Sequence, residues 1–213
     1  MMANRYRIGN AQSIGYREIQ NNYFSSSFNE AGDLLAVLAD GNIDHTNGRM
    51  AAVLAVECCI DTFAHKYAIP QNEYAGQFLL ELALKANRCV QEAIYLGRSP
   101  RLSLSLVLFR GQELNYFNVG ANRIFLYNKH NERILGNDAT DSYSSGRCKL
   151  SAKNIVGLLS SGAYLYMHPM ERIKIIAARK KINDKAQEII DTNNEKGFDI
   201  QLNATALLIE LRV

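Results

Sequence analysis

The stretch Leu35-Ala36-Val37-Leu38-Ala39-Asp40-Gly41 constrains this chain more than any other. An unbroken apolar run ends in an acidic residue and a glycine. A polar loop follows, Asn42-Ile43-Asp44-His45-Thr46-Asn47-Gly48, and a long apolar segment opens near Met50. The order reads as a buried strand, a turn carrying polar groups, and a helix. A rigid strand end fixes a carboxylate while the adjoining loop leaves it open to a ligand, so Asp40 marks a candidate site.

Composition narrows the class. A chain of 213 residues with 47% hydrophobic content suits one large domain or two small ones, with a sizeable core. Its net charge of +3, from 24 basic and 21 acidic side chains, lacks the clustered Lys and Arg of a nucleic-acid surface. The longest basic run, Arg179-Lys180-Lys181, reads as a solvated helix end. No apolar stretch reaches the ~18 residues of a membrane span. The first residues lack the apolar centre of a signal peptide. No membrane partner is therefore expected. The cysteines are Cys58, Cys59, Cys89 and Cys148, without the C-x-x-C spacing of a zinc site. The first three sit in apolar helical segments and read as small core residues of a reduced, cytoplasmic protein.

Asp40-Gly41-x-x-x-His45-x-x-Gly48-x-x-Ala51-x-x-x-Ala55-Val56-Glu57 resembles the signature of the metal-dependent protein serine/threonine phosphatases, the type 2C or PPM family. Their segment reads roughly DGMGGHNAGEVASRLAVE. The resemblance covers most of the chain, with its elements in family order. It implies an α+β fold: a four-layer α/β/β/α sandwich of two antiparallel sheets flanked by helices, with residues 1–213 as one phosphatase-like domain. It also implies the family chemistry, in which two cations orient a phosphate and activate a bridging water.

The family's metal ligands are mostly replaced. Where the family has a segment like GWRxxxED, this chain has Gly15, Tyr16 and Arg17, then Asn21 for Glu and Asn22 for Asp. Asp40 matches the bridging ligand, and the Gly41 carbonyl matches a further contact. Ser161 stands at the Asp of the family's SDG, and Leu202 at the Asp of DNAT, before the retained Asn203-Ala204-Thr205. Ala121 replaces the Asp of VGDSR, where Gly120 and Arg123 remain and are expected to maintain the turn. An amide oxygen can ligate a hard cation but brings no charge to offset repulsion between two ions, and leucine cannot ligate at all. Ile43 and Asp44 replace two family glycines and should reshape the loop.

Arg17 keeps two readings. On its own it is a surface arginine near a turn. By the resemblance it binds the substrate phosphate, which its forked guanidinium suits. An altered metal site built from Asp40, Asp44, His45 or Asp138 is a further reading; a polar loop without metal is the simpler one.

The pattern predicts strands at 4–8, 34–39, 102–109, 113–119, 123–128, 154–159 and 202–211. It predicts helices at 48–67, 74–96, 169–179 and 183–195, the last with Asn183 as N-cap. Between Asn128 and Leu150 the chain is polar and shorter than its family counterpart, which implies a shortened flap beside the cleft. These readings converge on a pseudophosphatase, an inactive binding or regulatory module without a cofactor. Its expected partner is a protein: a phosphoprotein, a kinase or another phosphatase. The alternative is a divergent phosphatase using Mn or Mg at an altered or single-metal site. A third reading is a structural subunit of a larger assembly.

Overall fold

The computed structural model describes residues 5–41, 47–65, 75–94, 102–129, 131–135, 142–196 and 202–212. In chain order the strands are β1 (Tyr6–Ser13), β2 (Asn22–Phe28), β3 (Leu34–Gly41), β4 (Leu102–Arg110), β5 (Glu113–Val119), β6 (Arg123–Asn128), β7 (Asn131–Ile134), β8 (Tyr143–Lys149), β9 (Ile155–Leu159) and β10 (Ala204–Leu211). The helices are α1 (Gly48–Ala64), α2 (Ala75–Ala93), α3 (Ser161–Tyr164), α4 (Pro169–Ala177) and α5 (Ile182–Asn194).

The strands form two five-stranded sheets, ordered β1-β10-β9-β6-β7 and β2-β3-β4-β5-β8. Every pairing is antiparallel. The unbroken apolar run of β3 now has its reason. Leu34, Ala36 and Leu38 face the other sheet, beside Val107, Phe109, Ile124, Val156 and Leu207. Leu35, Val37 and Ala39 face α1 and α2, beside Ala51, Ala55, Phe63 and Leu79. A strand covered on both faces has no polar side to alternate with. A third apolar cluster joins α3, α4 and α5 to the outer face of the first sheet through Ala163, Ile176, Ile189, Phe125 and Ala206. The layers are therefore α/β/β/α, as expected.

The differences lie at edges and ends. β1 runs to Ser13 rather than stopping at 8, because β10 pairs with it residue by residue through Ser13–Ala204. β2, β7 and β8 have no counterpart among the expected strands. Each is a sheet edge, and edges carry polar residues that hide the strand period. The segment from Asn128 to Leu150 thus contributes one strand to each sheet. Asn183 is not the N-cap of α5. Lys181 holds that position in an extended conformation, and the helix starts one residue before Asn183 because Ile182 is buried against the sheet. α4 is capped by His168, whose Nδ1 accepts from the Met170 backbone N–H, while its own N–H donates to Glu171 Oε2. Cys59 is a core residue as expected, but Cys58 and Cys89 are only half-buried. Among the described residues no helix is long and apolar enough to cross a membrane.

Candidate functional site

The end of β3, the starts of β2, β4 and β10, and the end of β9 meet at one end of the sandwich. The antiparallel ladder places Asn22 and Ser103 directly opposite Asp40, one on each neighbouring strand. Ser161, the first residue of α3, donates its hydroxyl to Asp40 Oδ2 at 3.3 Å. Burial pushes the Asp40 carboxyl up to about 6, against a smaller lowering by the Ser161 hydrogen bond. Among the described residues no basic side chain contributes to that balance.

Asn203 is the hub. It is 3% exposed and bonds in three directions. Its Oδ1 accepts from the Asn21 N–H at 2.8 Å, and its Nδ2 donates to the Ile14 carbonyl at 2.8 Å. Its backbone carbonyl accepts from Asn22 Nδ2 at 3.1 Å and from the Ser160 hydroxyl at 3.3 Å. Asn22 Nδ2 also reaches Thr205 Oγ1 at 3.2 Å. Asn22 Oδ1 is buried without a hydrogen-bond partner among the described residues.

Close backbone contacts complete the wall. A Cβ on Gly41 would stand 1.8 Å from the Gly48 carbonyl oxygen, so only glycine lets β3 meet the first turn of α1. A Cβ on Gly162 would stand 2.3 Å from the Asn203 carbonyl oxygen. Leu202 packs over this contact and is half-buried. Gly120 makes the turn after β5 with a φ of 82°, where a Cβ would stand 2.5 Å from Ser103 Oγ. The Ala121 N–H donates to Ser103 Oγ at 2.9 Å. The Ala121 carbonyl accepts from the Tyr164 hydroxyl, and the Arg123 guanidinium lies 4.0 Å over the Tyr164 ring.

The structure therefore brings together Asn21, Asn22, Asp40, Gly41, Ser161 and Leu202. Arg17 is half-buried in the turn at residues 14–17, where its N–H donates to the Ile14 carbonyl that Asn203 also holds. Asp44, His45 and Asp138 lie outside the described residues. Among the described residues no group of three or more His, Cys, Asp or Glu side chains could hold a metal ion.

One residue escaped the sequence reading. Arg49, in the first turn of α1, donates from Nη1 to the Asn22 carbonyl. Its guanidinium lies 4.8 Å over the Tyr23 ring, and the Tyr23 hydroxyl donates to Glu57 Oε1. The available signal was its place: a cation in a helix's first turn opposes the helix dipole and calls for a partner.

The donor set does not fit a pair of divalent cations. Of the positions matched to the family's ligands, Asp40 alone carries a carboxylate. The Asn22 amide nitrogen is committed inward, Ser161 is a neutral hydroxyl, and Leu202 is apolar. Hard cations need several oxygens, and a close pair of them needs negative charge between them.

No family model and no curated sequence matches the chain. Solved structures do. The S. agalactiae serine/threonine phosphatase is 18% identical, with a TM-score of 0.87, over 97% of this chain and 100% of that one. Stp1 from Staphylococcus aureus is 15% identical, with a TM-score of 0.88, over 99% and 96%. The Mycobacterium tuberculosis phosphatase PstP/Ppp is 13% identical, with a TM-score of 0.83, over 98% and 99%. The chain has the fold of the bacterial type 2C serine/threonine phosphatases.

Proposed function

We propose that this chain is a catalytically inactive relative of those phosphatases that works as a binding or regulatory module for a phosphorylated protein. One observation carries the reading: at the end of the sandwich, Asn21, Asn22, Ser161 and Leu202 stand where the family's carboxylates would be, with Asn22 bonded to the Asn203 carbonyl, Ser161 bonded to Asp40, and Asp40 alone retained. Two divalent cations bring four positive charges, and one carboxylate offsets only a quarter of that. Hydrolysis by the two-cation route is therefore not supported, whereas an internally bonded wall with a single carboxylate suits a ligand bound without metal.

Arg17 supplies the phosphate contact in this reading. Its loop also exposes Tyr16 (67%), Ile19 (51%) and Ile14 (43%). An arginine among exposed apolar side chains is the composition of a protein-docking patch. The test is calorimetry with phosphothreonine peptides in the absence of metal. Arg17→Ala should weaken binding about tenfold or more, the scale of a lost charged hydrogen bond. Equal affinity of the variant would remove the proposal.

A second reading is favoured by a different observation. The unpartnered Asn22 Oδ1 sits across the ladder from Asp40, which would suit a single cation and a divergent phosphatase. Turnover of a phosphoester that depends on added manganese or magnesium, and disappears in Asp40→Ala, would put this reading in place of the first.

A further inference from the structure

α1 and α2 lie side by side over the outer face of the β2-β3-β4-β5-β8 sheet, and one pair of sulfurs bridges them. Cys58 Sγ on α1 is 3.0 Å from Cys89 Sγ on α2. A disulfide needs about 2.05 Å, so a side-chain movement of roughly 1 Å closes the gap. Both residues are half-buried, within reach of a small oxidant. Lys85 is part of the same cluster: its Nζ donates to Thr62 Oγ1, which donates to the Cys58 carbonyl.

The other thiols are placed differently. Cys59 is the sequence neighbour of Cys58, but the helix turns it inward. It is fully buried, with Sγ 3.9 Å from the Leu82 carbonyl oxygen. Cys148 is on the edge strand β8. Adjacency in sequence would pair Cys58 with Cys59; adjacency in space pairs it with Cys89.

We propose that Cys58 and Cys89 form a reversible disulfide that links α1 to α2 when the protein meets a peroxide. One of the two sulfurs attacks the peroxide, an S–O bond replaces the O–O bond, and one water leaves. The other sulfur then displaces the oxygen of that sulfenic acid, an S–S bond forms, and a second water leaves. Each sulfur gives up one electron, the peroxide is reduced to two waters, and both thiol protons depart in those waters. Burial, then the neighbouring Cys89 sulfur, pushes the Cys58 thiol up to about 11.

The link braces the helix whose first turn walls the candidate site, through Gly48 against Gly41 and Arg49 on the Asn22 carbonyl. The test treats the reduced full chain with stoichiometric hydrogen peroxide, then alkylates and maps the peptides by mass. We expect two of the four cysteines to be protected from alkylation, in a Cys58–Cys89 peptide that dithiothreitol releases. The midpoint of thermal unfolding should rise by about 5–10 °C, since closing a loop of this size constrains the unfolded chain. Cys59→Ser should keep the cross-link and Cys89→Ser should abolish it. Four alkylatable thiols after treatment, a Cys58–Cys59 link, or sulfinic acid without a cross-link would each overturn the proposal.

Discussion

The middle of the sandwich and the end where its strands converge are parts of the same strands built on different physics. In the middle, β3 and β4 present Leu34, Leu38, Val107 and Phe109, all fully buried, to Ile124, Val156, Leu158 and Leu207 of the facing sheet. Nothing polar is asked of those positions, and burial of apolar area holds the sheets together. A few residues along the same strands, Asn22, Asp40, Asn203 and Thr205 meet in a wall of directional bonds. There a side chain matters for its donors and acceptors rather than for its volume. The contrast explains how a fold shared with phosphatases can tolerate different side chains at its end: the middle does not depend on them.

Substitutions can break this contrast. The largest effect should come from the middle. Leu38→Ala leaves a cavity between the sheets and should cost about 3–4 kcal/mol in urea unfolding. A loss below about 1 kcal/mol would mean that the sheets are not held by this contact. Next is the hub at the end. Asn203→Ala strands the buried Asn21 N–H and takes one of two donors from the Ile14 carbonyl, which keeps the Arg17 N–H. The expected cost is about 2–3 kcal/mol. A neutral result would show that water replaces the amide and that the wall is not fixed by Asn203.

Asp40 gives a smaller effect with a pH signature. Its carboxyl is raised from 3.8 to about 6 by burial. Between those values the folded state holds the proton that the unfolded state has released, so stability falls as pH rises through that window. Above it the cost is complete. Discounted for partial exposure, Asp40→Asn should stabilise the protein by about 1–2 kcal/mol at pH 7.5 and by nothing near pH 4. Matched unfolding curves at the two values check both size and sign. The smallest effect belongs to Arg17→Ala, expected within about 0.5 kcal/mol of the parent in stability. Combined with lost phosphopeptide binding, that outcome separates a ligand contact from a structural one.

The sequence showed the middle well. Runs such as Leu34–Ala39 and Leu106–Phe109 are apolar throughout because helices cover one face and a second sheet covers the other. The edges were poorly legible. β2 carries Ser25-Ser26-Ser27, and β8 reads Tyr-Ser-Ser-Gly-Arg-Cys-Lys with every second residue exposed. Their strand character comes from ladder bonds to β3 and β5, which no side-chain pattern records. At the site, resemblance located Asn21, Asn22, Asp40, Ser161 and Leu202, and the structure gathers them. It did not indicate that Asn203 would be the hub, since an amide's three directions of bonding depend on loops far apart in sequence. Arg49 was missed for a similar reason: its acceptor is a backbone carbonyl on β2, invisible to any motif.

The most direct test of the account is titration of the pure, metal-stripped chain with manganese by calorimetry. The account predicts no two-site binding up to millimolar metal, and the same heats from Asp40→Ala as from the parent. Two ions bound tightly, and lost together in Asp40→Ala, would contradict it and return the chain to the working phosphatases.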